Sequence, residues 1–484
     1  MVKHRKAYYT VEKALNCGAL QIVILMGMRK MGKTTILKQL AEKHDGYYLD
    51  FKDLKDPVQD YLGIFDRKEN LILLDEVGFL PDFDACLRAL EHDLSGTGKK
   101  VVFTSSSYGA LKQLGKESLG GGRSHKVELF PLDFEEYLFF SGRISAYGED
   151  YEPTEQDVQD YYRLEGIHEN MRLIVDRRYM EETFNDIETA RDNYQHAIRD
   201  VFLTEAQHIA VIDILAYSLN EQMGVKRFGK TSVGVQEFGR KKSSGLDLSN
   251  ALINYANEES KGMEGTELAQ IIAYLIYAGF LFVDLTVSEG SRQNADRIVS
   301  SLLEVRGRDD LQAILEDYTL SVISPLLYTR LMIDLEGIVG EVYTMKPLSG
   351  QLYELAVKSE AVYKDSSYLS HTSYKYTTAD TRVDLVMYSS TVRNGLLLEA
   401  SVGYKPSDKQ YIDTIFPTAA FIRVLTDEPG VFEFNDVFYR IGYPKALLMI
   451  SNGSIFNLET SKVLQTGTFD STAISANPYE KPHK

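Results

Sequence analysis

Runs of consecutive apolar residues, each ending in glycine or in acidic residues, mark the beginning of the chain. The clearest run, Ile22–Met26, leads into Gly27 and then into Gly32 and Lys33. An unbroken apolar run of this length is typical of a strand buried in a parallel sheet. The glycines that follow predict a tight loop, and the residues after them fit a helix. Residues 21–40 therefore predict a strand, a loop and a helix.

Three further segments fit the same sheet. Residues 46–51 and 71–74 are predicted as strands, and a third strand begins at Lys100 and ends in the hydroxyl residues Thr104, Ser105 and Ser106. Strands that alternate with helical segments indicate parallel pairing. The predicted order is β-α-β-α-β, which is a doubly wound α/β domain.

The remainder of the chain changes character twice. Residues 150–216 place apolar positions three and four apart, which predicts helices. Residues 271–285 predict a buried helix, a break at Gly279 and a strand, as at the end of a winged helix-turn-helix. Two strands are predicted in residues 381–390 and 395–405. With ~150 residues allowed per domain, the 484 residues divide into an α/β domain, a helical and winged-helix-like module and an α/β C-terminal domain, with bounds 1–145, 146–335 and 336–484.

Composition narrows the classes of partner. The formal net charge of −17 argues against general binding of polyanions, so any contact with nucleic acid requires a local basic patch. Cys17 and Cys86 are too few and too far apart for a disulfide framework or a zinc site. The N-terminal residues lack the apolar segment of a signal peptide, and the apolar run 271–285 is shorter than the ~20 residues of a membrane span. These features predict a cytoplasmic protein with no membrane contact.

The glycine loop carries the clearest chemistry. Gly27, Gly32, Lys33 and Thr34 match the pattern GxxxxGK[ST], in which backbone N–H groups and a helix N-terminus surround phosphates. Lys33 would neutralise the β- and γ-phosphates of ATP, and the Thr34 hydroxyl would bind Mg²⁺. The predicted nucleotide-binding residues are Gly27, Met28, Arg29, Lys30, Met31, Gly32, Lys33, Thr34 and Thr35.

Two acids follow the predicted strand 71–74. Strands of a parallel sheet deliver their carboxyl-terminal residues to one edge, so Asp75 and Glu76 are expected beside the phosphate loop. There Asp75 would hold Mg²⁺ and Glu76 would polarise the attacking water. The hydroxyls of Thr104, Ser105 and Ser106 either contact the γ-phosphate or the water, or belong to an ordinary turn.

These segments, together with Gly122–Arg123 and with Pro131–Leu132 leading to Glu136, resemble the AAA+ ATPases of archaea and bacteria that carry a C-terminal PD-(D/E)XK endonuclease-like domain of unknown function. The resemblance implies catalytic roles for Lys33 and Glu76 and a Ser105/Ser106 sensor, with Ser106 as the catalytic candidate of the two. It also makes Arg123 a candidate for reaching a phosphate in its own subunit or in a neighbour, as in a homo-oligomer. The alternative for Arg123 is a buried structural ion pair.

Residues 226–242 reverse the acidic balance of the chain, with six positive charges against Glu237. The resemblance implies a small winged-helix-like module in this region. The basic segment therefore either contacts DNA or is a solvated loop on a module used for packing.

The resemblance also implies nuclease-like positions near the C-terminus. Asp384 and Glu399 take the acidic positions, and Glu354 is a third candidate. The lysine position holds Ser401, which cannot stabilise a pentacoordinate phosphate. Lys405 lies roughly 13 Å further along a regular strand. This departure favours a degenerate domain.

The expectation from the sequence is an AAA+-type protein that binds and hydrolyses ATP with Mg²⁺, and whose nucleotide state rearranges the winged-helix module and the endonuclease-like domain, on DNA. Two alternatives stay open, an ATP-gated metal-dependent nuclease and a non-hydrolysing nucleotide switch that docks a protein partner.

Overall fold

Contacts within the computed structural model divide the chain into two compact units. Unit one comprises Met1–Leu132, His168–His208 and Tyr277–Phe280, and unit two comprises Asp133–Ile167, Ile209–Ile276 and Leu281–Lys484. The structure describes residues 2–18, 20–27, 31–54, 61, 63–77, 94, 97–105, 124–167, 266, 269, 272–273, 281–286, 295–316, 318–322, 356–357, 359–360, 374–378, 381–383, 385–389, 394–400, 420–425, 431–435 and 438–454.

Unit one is built on a five-stranded parallel sheet. Its strands are β1 (Ile22–Gly27), β2 (Tyr47–Asp50), β3 (Leu71–Asp75), β4 (Lys100–Ser105) and β5 (Ser124–Leu129). Their order across the sheet is β2-β3-β4-β1-β5, and every neighbouring pair is parallel. The predicted α/β fold of the N-terminal region is confirmed.

Both faces of this sheet are covered, which explains the unbroken apolar runs. Successive residues of a strand point to opposite faces, so a sheet with two buried faces needs apolar residues at every position. One face carries a cluster of buried side chains from the three strands β1, β3 and β4 and from adjacent segments: Ile22, Ile24, Met26, Phe51, Tyr61, Ile64, Ile72, Leu74, Val77, Leu94, Val101 and Phe103. The helix α2 (Lys33–His44) buries Ile36, Leu37 and Leu40, and its neighbours in unit one include β1, β3 and β4.

A helix before the sheet, α1 (Lys6–Asn16), completes the described part of unit one. Its buried residues Tyr8, Val11 and Leu15 recur at helical spacing. His4 stacks on Tyr8 with ring centroids 4.1 Å apart, and its Nδ1 lies 2.9 Å from Oε1 of Gln39 on α2. The N-terminal segment is therefore an ordered part of the domain.

Unit two contains two further sheets. Their strands are β6 (Leu281–Thr286), β7 (Tyr318–Val322), β8 (Tyr374–Thr378), β9 (Thr381–Val383), β10 (Leu385–Ser389), β11 (Asn394–Ala400), β12 (Ala420–Leu425), β13 (Val431–Asn435) and β14 (Phe438–Gly442). One sheet has the order β10-β11-β12-β14-β13 and the other has the order β7-β6-β8-β9. Strands are thus found within each of the apolar segments 271–285, 381–390 and 395–405. The winged-helix-like and endonuclease-like folds stay predictions.

The described helices of unit two are α3 (Phe134–Ser141), α4 (Glu155–Arg163), α5 (Ala295–Leu303), α6 (Arg308–Glu316) and α7 (Tyr443–Asn452). Helices α3 and α4 precede residue 167 in the chain but belong to the same compact unit as the C-terminal elements. The sequence-based boundary lies at residue 145, and the three-domain division stays a prediction.

The N-terminus of α3 is where the segments of unit two meet. The side chain of Asp133 caps this helix, and Glu136 returns the bond in a capping box. Oε1 of Glu360 accepts hydrogen bonds from the Phe134 N–H at 2.9 Å and from the Tyr161 hydroxyl at 3.0 Å. The Glu135 N–H donates to Oγ of Ser451 on α7 at 2.8 Å.

A second link joins α3 to α4 through Arg143. Its Nε lies 2.6 Å from Oδ1 of Asp157, its Nη2 pairs with Asp160, and its Nη1 donates to the Tyr137 hydroxyl at 2.6 Å.

The described helices contain no segment long and apolar enough to cross a membrane.

Candidate functional site

The phosphate-loop residues lie between the carboxyl end of β1 and the start of α2. Gly32 adopts the left-handed conformation with φ of 96°, which a residue with a Cβ adopts only at a cost of roughly 1–2 kcal/mol. Lys33, the first residue of the helix, is 4% exposed. Thr34 is half-buried, and Thr35 is exposed. A lysine is seldom this buried, because its charge must then be compensated.

The side chain of Arg5 fixes one end of the phosphate loop by hydrogen bonds to backbone carbonyls. Its side chain is buried, its Nη1 donates to the carbonyl of Met31 at 2.9 Å, and its Nη2 donates to the carbonyls of Phe130 at 3.0 Å and Pro131 at 3.2 Å. A guanidinium presents several donors in a fixed plane, so it can serve three carbonyls at once. Arg5 therefore ties the last residue before Gly32 to the segment that leaves β5.

Asp75 and Thr34 meet at the edge of the sheet. Asp75 is the last residue of β3 and is 0% exposed. The Thr34 hydroxyl is hydrogen-bonded to its carboxylate, and Tyr48 of β2 donates to Oδ2 at 2.9 Å. Oδ1 accepts the backbone N–H of Glu76 at 3.2 Å. The structure thus brings together the two residues that the sequence assigns to Mg²⁺.

Burial dominates the electrostatics of this carboxylate. Desolvation raises the pKa of Asp75, the hydrogen bond from Thr34 opposes the rise, and the charge of Glu76 adds to it. The pKa of Tyr48 is also raised, first by burial and then by the nearby Asp75. Tyr48 therefore keeps its proton and acts as a donor towards Asp75.

Glu76 is held in an unusual backbone conformation. Its φ is 52°, in the left-handed region, although it is not a glycine. Such a conformation costs on the order of 1–3 kcal/mol and is found more often at functional sites than elsewhere. The side chain is half-buried, so it is neither sealed in the core nor fully solvated.

Thr104 lies on the same face of the sheet as Asp75, because β3 and β4 are parallel with Leu73 opposite Val102. It is 0% exposed, and its hydroxyl has no hydrogen-bond partner among the described residues. Ser105 ends β4. Of the three hydroxyls considered from the sequence, Thr104 is thus buried in the sheet.

Several predicted site residues lie outside the described part of the chain. In the loop these are Met28, Arg29 and Lys30. Beyond it they are Ser106, Arg123, the basic segment 226–242, Glu354, Asp384, Ser401 and Lys405. Glu399 lies on β11, where its backbone is opposite Arg423 of β12. The roles assigned to all of these residues stay predictions.

Sequence reasoning missed Tyr48 and Arg5. Tyr48 could have been considered from the alternation of side chains along a strand. Residues 48 and 50 face the same side of the sheet, and Asp50 lies opposite Asp75 on the neighbouring parallel strand β3, so Tyr48 is on the face of Asp75. That inference requires β2 to lie next to β3. Arg5 carries no comparable signal, because its partners are backbone carbonyls.

The donor set suits Mg²⁺. The Thr34 hydroxyl and the Asp75 carboxylate are hard oxygen ligands placed side by side, and Mg²⁺ is usually held by one or two such groups together with substrate phosphates and water. Within the described ranges, no group of three or more His, Cys, Asp and Glu side chains could hold a metal ion by itself. A magnesium site here would therefore be shared with a bound nucleotide.

Comparison with known proteins supports the N-terminal assignment. The AAA-domain family matches residues 20–138, about a quarter of the chain. Two uncharacterized proteins of Methanocaldococcus jannaschii are similar. One is 30% identical over 131 residues, which is 25% of this chain and 29% of that protein. The other is 28% identical over 152 residues, or 28% of this chain and 31% of that protein. The chain thus matches about three-tenths of the length of these relatives.

Similar solved structures include a Walker-type ATPase of Pyrococcus abyssi, which has 16% identity and a TM-score of 0.33 over 63% of this chain and 96% of that chain. They also include AMPPCP-bound DnaA from Aquifex aeolicus, with 16% identity and a TM-score of 0.25 over 47% of this chain and 82% of that chain. Overlaps this loose do not assign a function. Residues 20–138 thus match the AAA-domain family, and the parallel five-stranded sheet of this region agrees with that match.

Proposed function

We propose that unit one binds ATP with Mg²⁺ and hydrolyses it. The observation that carries this proposal is the bond between the Thr34 hydroxyl and the buried Asp75 carboxylate, one residue from the buried Lys33. A buried lysine, a hydroxyl and a carboxylate around the start of one helix form a constellation suited to a phosphate chain and its metal. The matched AAA-domain family supports the same activity.

Each residue has a distinct task in this proposal. Lys33 and the backbone N–H groups at the start of α2 hold the phosphates, and Thr34 and Asp75 hold Mg²⁺. The bound metal supplies neutralisation of the phosphate charge that develops in the transition state. Glu76 accepts a hydrogen bond from the attacking water and orients it. In this proposal the buried hydroxyl of Thr104, on the same face of the sheet as Asp75, contacts the water or the γ-phosphate.

The test uses two substitutions whose effects differ in kind. Lys33→Ala should abolish nucleotide binding, because the phosphates lose their cationic partner. Glu76→Gln should retain binding of ATP and Mg²⁺ but slow hydrolysis by a factor on the order of 10²–10⁴, the usual contribution of general acid–base groups. Binding of a fluorescent ATP analogue and release of phosphate are measured on the same preparations. Hydrolysis by Glu76→Gln at the parental rate would show that this glutamate is not the group that activates water.

We further propose that the nucleotide state rearranges unit two, on DNA and within a homo-oligomer in which Arg123 reaches a phosphate. Arg5 supports the coupling, because it joins Met31 of the loop to Phe130 and Pro131, and the chain passes from there directly into α3 of unit two. A change at the loop would thus act on a segment only a few residues before that helix.

The DNA part of the proposal rests on the basic segment 226–242. Changing five of its cations to glutamate, namely Lys226, Arg227, Arg240, Lys241 and Lys242, should weaken DNA binding and flatten its salt dependence, because fewer counterions are released. Hydrolysis of ATP without DNA should remain. Equal DNA affinity before and after the change, at low and at moderate salt, would leave this segment without a role in DNA contact.

A further inference from the structure

Tyr48 has one partner at its hydroxyl and another at its ring. Its hydroxyl donates to Oδ2 of Asp75 at 2.9 Å, and Nζ of Lys38 lies 5.3 Å from its ring centroid. Lys38 is four residues after Thr34, one turn further along α2. Strand β2 and helix α2 thus together place a phenol against the carboxylate at the end of β3.

The other donors to Asp75 belong to residues with tasks of their own. The Glu76 N–H binds Oδ1 at 3.2 Å, and the Thr34 hydroxyl binds the same carboxylate. In the proposed function the Thr34 hydroxyl oxygen also binds the metal. Its O–H bond must then turn away from the cation, which changes its hydrogen bond to Asp75. Of the two side-chain hydroxyls bonded to this carboxylate, that of Tyr48 is the one that can keep its bond when nucleotide and metal bind.

A fully buried carboxylate depends strongly on each of its donors. Removing one donor from a buried charge leaves that charge with a larger desolvation cost. Substitution of a residue that hydrogen-bonds to a metal ligand typically weakens metal affinity by roughly 10–100-fold. Asp75 is 0% exposed, so water cannot take the place of a lost donor without a change in the surroundings.

We propose that Tyr48 is a positioning residue for the magnesium site: its hydroxyl orients the Asp75 carboxylate and keeps it hydrogen-bonded while Thr34 engages the metal. This inference rests on the proposed binding of ATP and Mg²⁺. It adds a residue of β2 to a site that the sequence builds from the loop and from the end of β3.

The adjacent Tyr47 provides a matched control. It belongs to the same strand but faces the other way, packs against the buried cluster of the opposite sheet face, and accepts a hydrogen bond from Nη2 of Arg67 at 3.0 Å. Its ring also has a cation partner, since Cζ of Arg67 lies 4.1 Å from its centroid. Tyr47→Phe thus removes the same atom from the adjacent residue of the strand without a change at Asp75.

The experiment measures binding of a fluorescent ATP analogue to the full chain, first in EDTA and then at increasing Mg²⁺. For Tyr48→Phe we expect the half-saturating Mg²⁺ concentration to rise by roughly tenfold, with nucleotide affinity in EDTA within about twofold of the parent. Tyr47→Phe should match the parent in both conditions. Far-UV circular dichroism and thermal unfolding verify that both variants fold, as the retained rings predict.

Three outcomes would overturn the inference. An unchanged Mg²⁺ requirement in Tyr48→Phe, with clear Mg²⁺-dependent binding by the parent, rejects the role of Tyr48 but leaves the proposed function intact. Equal shifts in the two variants would show a general effect on β2. Absence of Mg²⁺-dependent nucleotide binding by the parent would reject the proposed function and this inference together.

Discussion

The close approach of β1 and β5 at Gly27 makes a sharp prediction about stability. A Cβ added at Gly27 would lie 2.3 Å from the carbonyl oxygen of Leu129, whereas real Cβ atoms essentially never come closer than 3.0 Å to such an atom. The obstructing atom belongs to the backbone of β5, so no side-chain rotation can relieve the overlap. Gly27→Ala must therefore move the two strands apart by at least ~0.7 Å at this point.

The expected cost has two parts. Overpacking of a well-packed interior costs about 1–3 kcal/mol. Weakening one ladder hydrogen bond of the parallel pair β1–β5 beside the register partners Gly27 and Leu129 costs about 0.5–1.5 kcal/mol. The lower entropy of an unfolded chain with alanine returns about 0.4–1 kcal/mol. We expect a net loss of about 1–4 kcal/mol, confined to unit one.

Hydrogen exchange followed by mass spectrometry is the suitable assay, because it reports separately on peptides from β1 and β5 in a chain with two units. Gly18→Ala is the control, since a Cβ at Gly18 meets no atom within 4 Å and its φ is not positive. Equal protection of β1 and β5 in the two variants would refute the close approach of these strands.

Two further predictions concern buried carboxylates. Glu360→Ala removes the acceptor of the Phe134 N–H and the Tyr161 hydroxyl, and each buried donor left unpaired costs about 1–3 kcal/mol. Peptides of α3 and α4 should therefore lose exchange protection equivalent to about 2–6 kcal/mol. Adding Tyr161→Phe should recover part of this loss, and a double variant no better than the single one would contradict this account. At Asp75 burial raises the carboxyl pKa, so the folded protein holds this proton to higher pH than the unfolded chain does, and the contribution of Asp75 to stability falls as pH rises from the ordinary carboxyl range through the raised pKa. In urea unfolding, the free energy of unfolding of Asp75→Asn should rise relative to that of the parent as pH increases through this range, and the gain should persist at higher pH. If the difference between the two proteins stays constant from about pH 4 to about pH 8, the buried charge is contradicted.

The strands of unit one could be predicted because the sheet is covered on both faces. Ile22–Met26 and residues 71–74 were predicted from unbroken apolar runs, and the strands observed are Ile22–Gly27 and Leu71–Asp75. The added residues are a glycine that allows the close approach to β5 and an acid at the sheet edge. Each apolar run stops at a residue that the packing of the sheet does not require, and for this reason the sequence could point to a candidate site.

Tyr48 could not be identified in the same way. The sequence predicts that residues 46–51 form a strand, but it does not say which strand lies beside it. Once β2 is next to β3 with Asp50 opposite Asp75, a tyrosine two residues earlier on the same face can reach the carboxylate. The contact follows from strand order, which is a property of the whole sheet and not of either segment.

The segment from Pro131 to Glu136 shows the same limit over a longer range. Its Asp133 and Glu136 have the spacing of a capping box, so the start of a helix could be inferred locally. The partners of its first two N–H groups, Glu360 and Ser451, are 226 and 316 residues away from the donors Phe134 and Glu135 and leave no local signal. The AAA-domain match ends at residue 138, inside this helix, whose N-terminus is bound by residues from the C-terminal half of the chain. A substitution at Asp133 or Glu136 would therefore act first on unit two, although both residues fall within the segment that the family match covers.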